Sequence, residues 1–253
     1  MKFRSLYGQV AGEYVDYRPE YPPEVFDKIL AAIPPGRRGL AMDLGAGTGK
    51  AALILAPHFA KLIAVEADPL MAEKLRCAAP NLEVRVSMAE DLTQEDASAD
   101  LVNIATALRW MNAPRALSNA AAWLRSGGIL AAYGYFSPDT PEPARSVMRR
   151  EFEERWNIFY DERLKDRTFE QATIRQARGL RAIEDTVIPN VIPLSPRQLT
   201  GFCRSTSYGS AYARTLADPE NYWSGLESRF REASRDDKIP TDFSLWFILA
   251  RRI

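Results

Sequence analysis

Short apolar runs, each closed by an acid, a glycine turn or a proline, set the rhythm of this chain. Gly39-Leu-Ala-Met-Asp43, Leu62-Ile-Ala-Val-Glu66 and Leu101 to Leu108 are near-continuous hydrophobic stretches of strand length, the pattern of parallel strands covered on both faces. Helical spacing lies between them. Phe26, Ile29, Leu30 and Ile33 fall at i, i+3, i+4 and i+7 behind a proline pair, which predicts a helix stopping at Pro34-Pro-Gly36. Ala51 to Ala56 predicts a short helix lying flat on the sheet, ended or kinked by Pro57. Pro69 to Ala79, with Met71, Leu75 and Ala78 on one face, predicts the next helix, and Leu82, Val84, Val86 and Met88 alternate as a strand. Leu117, Ala120, Ala121 and Leu124 mark a further helix face, closed by Gly127-Gly128, before a fifth strand over Ile129 to Phe136. Ile183 to Val191 reads as a strand near an edge, because Pro189 cannot donate to a ladder, and Phe243 to Leu249 reads as a closing strand.

The pattern changes at Pro138. From Pro141 to about Gly179 Arg, Glu and Asp dominate, with Val147, Phe152, Trp156 and Phe159 interleaved, which predicts one long or two short amphipathic helices inserted after the fifth strand. Ser195-Pro196 and Asp218-Pro219 are two clean helix starts, each an N-cap residue followed by proline. The expected organisation is an N-terminal flap over residues 1–21, a Rossmann-like domain over 22–137 and 180–253, and a helical substrate cap over 138–179 with part of 195–235. Tyr7, Tyr14, Tyr17 and Tyr21 with Arg18 give the flap its character: they either staple the N-terminus to the sheet or exclude water from a ligand beneath.

Candidate chemistry begins at Ala41-Met-Asp-Leu-Gly-Ala-Gly-Thr-Gly49. A missing Cβ lets the backbone turn tightly and approach a ligand, and N–H groups at a helix start attract a carboxylate or phosphate. Gly47-Thr-Gly-Lys-Ala-Ala52 satisfies the Ala form of G-x-G-x-x-G/A, so a dinucleotide stays open on spacing. A triphosphate loop is excluded, because Leu44 stands where its first glycine belongs and Ala51 where its metal-holding hydroxyl belongs. Asp43 ahead of the glycines and Glu66 at the end of the second strand tip the balance, since that carboxylate can take both hydroxyls of a ribose.

The pattern D-x-G-x-G-x-G from Asp43 to Gly49, followed by a strand ending in Glu66, resembles class I S-adenosylmethionine-dependent methyltransferases. Ser87 to Leu92, Ala99 to Leu108 and Leu124 to Leu130 resemble that family's successive motifs, in order. Tyr14-x-x-Tyr-Arg-Pro-x-Tyr-Pro22, Ala107-Leu-Arg-Trp110 and Ser205-x-x-Tyr-x-x-x-Tyr212 resemble its methyltransferase type 11 branch, which includes trans-aconitate methyltransferases. The resemblance implies an α/β Rossmann-like seven-stranded sheet, its last strand antiparallel, flanked by helices. It implies S-adenosylmethionine as cofactor, held by Arg18, Asp43, Gly45, Ala46, Gly47, Gly49, Glu66, Ala67, Met71, Ala89, Glu90, Asp91 and Ala105. Arg109, Trp110 and Tyr208 fall on the acceptor side. The usual third motif is Ala-Leu-His-Trp, and this chain has Arg109 in place of the histidine.

Arginine is always charged and cannot act as base, but its planar fork suits a carboxylate. With His58 the single histidine, and expected on the surface, O-methylation of a small carboxylic acid is the favoured reaction. The alternatives are a larger natural-product or lipid-like acceptor, a methyltransferase fold recruited for a non-methylating biosynthetic step, and a nicotinamide oxidoreductase. Composition agrees with one globular enzyme: 46% hydrophobic, 26% charged and a net charge of +0, which gives no electrostatic case for nucleic acid or an acidic membrane surface. Cys77 and Cys203 lack metal spacing and read as core thiols. No signal-peptide core or apolar run of membrane length is present, so a cytoplasmic protein with a small-molecule substrate is expected.

Overall fold

The computed structural model describes residues 16–76, 78–166 and 168–253; Tyr7, Tyr14 and Cys77 lie outside them. In chain order the elements run α1 (Pro23–Ala32), β1 (Leu40–Leu44), α2 (Ala52–Leu55), β2 (Lys61–Glu66), α3 (Pro69–Glu73), β3 (Leu82–Val86), β4 (Ala99–Ala105), α4 (Ala113–Trp123) and β5 (Leu124–Tyr135). Then follow α5 (Ala144–Arg149), α6 (Phe169–Arg175), β6 (Leu180–Ile188), β7 (Val191–Leu194), α7 (Pro196–Arg204), α8 (Ser207–Ala213), α9 (Pro219–Ala233), β8 (Ile239–Asp242) and β9 (Leu245–Arg252). Two compact units divide them. The larger takes Glu20–Phe136, Asp166–Ile188 and Leu245–Ile253, and the smaller takes residues 16–19, Ser137–Lys165 and Pro189–Ser244. Residues 166–179, expected with the cap, group with the sheet, and 189–244, of which part of 195–235 was expected with the cap, group with the smaller unit.

In the larger unit seven strands form one sheet in the order β3-β2-β1-β4-β5-β9-β6. Neighbours from β3 to β5 are parallel, while β9 runs antiparallel to both β5 and β6. The expected seven-stranded Rossmann-like fold is present, with its closing strand inside the sheet and β6 at the edge that Pro189 foretold. Each face carries its own core. Val25, Phe26 and Ile29 of α1 and Leu55 of α2 pack with Ala41, Leu101, Ala131 and Phe247 on the first face. Leu117 and Ala120 of α4 and Ile174 of α6 pack with Met42, Val102, Leu130 and Ile248 on the second. Burial on both sides is why these strands read as unbroken apolar runs.

Three boundaries differ from expectation. The fourth strand stops at Ala105 rather than Leu108, because Thr106 takes φ 55° and the chain tightens into a 3-10 turn over Leu108–Trp110. Helix α3 ends at Glu73 rather than Ala79, and the turn beyond it lays Leu75 against the bare Cα of Gly49. Gly127-Gly128 does not cap α4, which passes straight into β5 at Leu124; the glycines form a bulge where the β4–β5 register shifts. The charged insertion takes the two-piece form of the expectation: α5 continues as a π-helical turn over Arg150–Arg155, and α6 stands apart.

In the smaller unit β7 and β8 form an antiparallel ribbon, and both predicted caps are made. Ser195 accepts from Gln198 N in a capping box, and Asp218 accepts from Asn221 N. The π turn buries Glu151, whose carboxylate takes Arg155 (2.8 Å), Arg229 (3.0 Å) and the Tyr222 hydroxyl. Cys203 is buried and burial pushes its thiol up, as a core thiol requires.

Candidate functional site

The turn after β1 is built on three glycines at positive φ, and the three serve different ends. A Cβ on Gly45 would stand 2.5 Å from Ala107 Cβ, and one on Gly49 would stand 2.1 Å from Leu75 Cδ2. Those two pack against protein. Among the described residues a Cβ on Gly47 would meet only Met71 Cε, at 3.8 Å, so Gly47 holds the open side of the turn and the Met71 thioether flanks it. The amides of Gly45 and Ala46 both donate to Val65 O (2.8 and 3.0 Å), and Gly49 N donates to Ala46 O (2.9 Å). These N–H groups were expected to face a ligand; the turn uses them to tie itself to β2, and the helix behind it is only four residues long.

Glu66 closes the cradle. Its Oε2 accepts from Gly47 N (2.8 Å) and its Oε1 from Asp68 N (2.8 Å). Burial raises its pKa, against the pull of those two amides. A carboxylate has about four lone-pair sites, so two remain for a vicinal diol. Asp43, two residues before Gly45, is 1% exposed, and Asn103 Nδ2 donates to its Oδ1 at 2.8 Å. Ala67 is half-buried beside Glu66, Ala89 is buried, and Ala105 ends β4 opposite Tyr133. Glu90 Oε1 accepts from Asn112 N (3.2 Å) at the start of α4, and Asp91 pairs with Arg115 at 3.4 Å.

The β4 end also carries Arg109 and Trp110, both half-buried on the 3-10 turn. Arg109 is engaged by a carboxylate of its own unit: Nε donates to Glu170 Oε1 (2.6 Å) and Nη2 to Glu170 Oε2, with side chains 15% and 3% exposed. Tyr133 is fully buried, a core residue on the first face. Thr106 Oγ1 and Tyr21 OH lie 2.9 Å apart, and the Tyr21 ring stacks on Tyr135.

Arg18 and Tyr208 belong to the smaller unit. Arg18 donates from Nη2 to Ser205 O (3.1 Å) and lies over the Phe202 ring, while a Cβ on Gly201 would strike Tyr17. Tyr208 stacks on Tyr160 with ring centroids 4.2 Å apart, and burial drives its pKa well up. His58 is exposed on a 3-10 turn, as expected. Asn103 and Glu170 were missed. Asn103 alone had a signal, as the one amide inside an apolar run.

A parallel sheet in this order, an open glycine turn after β1 and a half-buried acid at the end of β2 make up a Rossmann-like fold. Residues 42–132 match the model of the methyltransferase domain family Methyltransf_11. An uncharacterized methyltransferase of Mycobacterium tuberculosis is 39% identical over 124 residues, 49% of each chain. A trans-aconitate 2-methyltransferase of Methylobacterium radiotolerans is 32% identical over 126 residues, 48% of this chain and 47% of that one. The chain spans about half the length of the relatives it matches. A type II methyltransferase structure from Anaeromyxobacter dehalogenans shares the fold, with a TM-score of 0.75 over 93% of this chain and 98% of that one, at 23% identity.

Such domains take S-adenosylmethionine, and the residues present fit it: Gly47 leaves room, Glu66 keeps lone pairs for the ribose, Met71 offers an apolar flank, and Asp43 keeps a carboxyl oxygen without a partner among the described residues. Among the described residues no helix is long and apolar enough to cross a membrane, and no cluster of His, Cys, Asp and Glu is placed to hold a metal.

Proposed function

We propose that the protein transfers a methyl group from S-adenosylmethionine to a small-molecule acceptor, and that the accepting atom is a carboxylate oxygen. The observation that carries the first half is the cradle in which the Gly47 amide fixes Glu66 beside an open glycine. When bound, the cofactor supplies a methyl group already activated on a positive sulfur. The protein's share is to hold nucleophile and methyl carbon in line and to exclude water, and such positioning is worth about 7–11 kcal/mol. A carboxylate needs no base. That suits a β4 end carrying Arg109 and a surface-exposed His58, and it agrees with a relative named for a carboxylic-acid acceptor.

Glu170 occupies the Arg109 fork, so an acceptor carboxylate reaches this cation only in competition with it. The same pair favours a second reading, an uncharged larger natural-product or lipid-like acceptor beside a neutralised Arg109. Mass-spectrometric product analysis with S-adenosylmethionine and matched panels of small carboxylic acids and their amides separates the two. Methyl esters from the acids alone support the first, and methylated amides support the second. Formation of no S-adenosylhomocysteine with any acceptor removes methyl transfer. With a cognate acid, undiminished kcat/KM in Arg109→Ala removes Arg109 from the mechanism. Residues 1–21 as a flap and 138–179 with part of 195–235 as a cap belong to the same proposal, with Arg18 and Tyr208 as their contributions.

A further inference from the structure

Among the described residues, three buried polar atoms on the first face of the sheet have no hydrogen-bond partner: Asp43 Oδ2, Asn103 Oδ1 and the Tyr133 hydroxyl. They belong to one cluster. Asp43 and Asn103 are cross-strand partners on β1 and β4, joined by the 2.8 Å amide bond, and Tyr133 sits on β5 opposite Ala105, two residues beyond Asn103. All three residues are at most 1% exposed. An ionised carboxylate with one side-chain donor, the Ala52 amide and, among the described residues, no cation beside it is costly in such a place.

The charged and titratable groups that face Asp43 make it worse. From β2 comes Glu66, a second carboxylate, and from β5 comes Tyr133, a phenol. From the helix start comes only the uncharged Ala52 N–H, and Lys50 at the turn's end is paired with Glu20. The nearby cation that would make ionisation easy is not supplied by these elements. The open glycine turn two residues further on is where a cationic ligand would bring one.

We propose that Asp43 is a proton-linked seat for the cofactor's positive charge: it holds a proton in the free protein and releases it to solvent when the donor binds, with Asn103 as its positioning residue. The O–H bond of the carboxylic acid breaks and the proton leaves to water; no electrons are transferred. Burial is the main cause of a raised Asp43 pKa, to about 7, with Glu66 adding to it and Asn103 and Ala52 opposing. The inference rests on the S-adenosylmethionine reading.

The test is titration calorimetry of the full chain with S-adenosylmethionine, run at pH 6 and pH 7 in buffers of different ionisation enthalpy. A seat titrating at about 7 releases about 0.9 proton per cofactor bound at pH 6 and about 0.5 at pH 7, and affinity rises with pH across this window. Asp43→Asn should bind without that release, which separates Asp43 from Glu66. Removing the Asn103 donor by Asn103→Ala should move the midpoint of release to higher pH, a change that a purely structural role would not produce. Should Asp43→Asn fail to fold, the carboxyl carbon resonance of Asp43 in labelled wild type reports the same event, and it should move from the acid to the carboxylate position on binding at pH 6. Binding with no proton release at pH 6, or with equal release in Asp43→Asn, overturns the seat and leaves the cofactor reading standing. No binding at either pH overturns both.

Discussion

The three turn glycines can be separated by experiment because the structure gives each a different neighbour. Alanine at Gly47 must adopt φ +58°, the left-handed region, at about 1–2 kcal/mol for an L-residue, and among the described residues its methyl meets only Met71 Cε at 3.8 Å. Alanine at Gly45 carries the same conformational cost and drives its methyl to 2.5 Å from Ala107 Cβ, an atom fixed to the backbone that cannot rotate away. Overpacking of that kind adds about 1–3 kcal/mol, for a sum of about 2–5 kcal/mol. At roughly 2–4 °C per kcal/mol for a chain of this size, Gly47→Ala should lower Tm by about 2–8 °C and Gly45→Ala by clearly more. Gly49→Ala should fall between them, since the clash is with the flexible end of Leu75. Thermal unfolding without cofactor gives the order. Calorimetry with S-adenosylmethionine should then show the reverse emphasis, with Gly47→Ala folded but weakened in binding. If Gly47→Ala proves as unstable as Gly45→Ala, or binds cofactor as well as wild type, the open side of the turn is not where the ligand lies.

Replacing Glu66 by Gln keeps the shape and removes the charge that would take the ribose diol; calorimetry should show binding weakened roughly ten- to hundredfold, the worth of about 1.5–3 kcal/mol for a hydrogen bond to a charged group. Arg109→Ala leaves Glu170 buried and unpaired and should cost about 3–5 kcal/mol in denaturant unfolding, whereas Arg109→Ala with Glu170→Ala should cost less than the sum of the two single changes. Asp43 makes the cofactor-free protein pH-dependent. Its folded pKa of about 7 lies above the ordinary 3.8, so the folded state binds more protons between these values, and its contribution is complete below about pH 4 and lost as pH rises through 7. The full swing is roughly 4 kcal/mol, from 7 minus 3.8 at 1.36 kcal/mol per unit, and Asp43→Asn should flatten the Tm profile over this range.

The sheet was legible because strands covered on both faces leave a signature that survives without context: Ala41 to Leu44, Leu62 to Val65 and Leu101 to Ile104 are apolar at nearly every position. The caps at Ser195 and Asp218 were legible for a local reason, a side chain answering an amide three residues away. Glu66 and the glycines were legible because the cradle is built from two adjacent strand ends. What escaped was non-local. Glu170 lies in a stretch so rich in charge that it reads as solvated surface, and its partner Arg109 is 61 residues away. The strand end at Ala105 was lost because Thr106, a β-branched residue, takes a positive φ that sequence disfavours there. Its amide and hydroxyl are held by Tyr133 O (2.7 Å) and Tyr21 OH (2.9 Å), partners from other elements.

The placing of β9 bears on how the molecule is made. It is the last of the described strands to leave the ribosome, yet it joins β5 to β6. A nascent chain stopped before Leu245 carries a five-strand parallel raft, β3 to β5, with the backbone of β5 bare along one side and β6 synthesised but unable to dock. Such a bare margin templates pairing with other chains. Loss of the closing stretch should therefore yield inclusion bodies in place of a weakened enzyme, and a slowly translated message should lean on holdase chaperones until Leu245 to Arg252 have emerged.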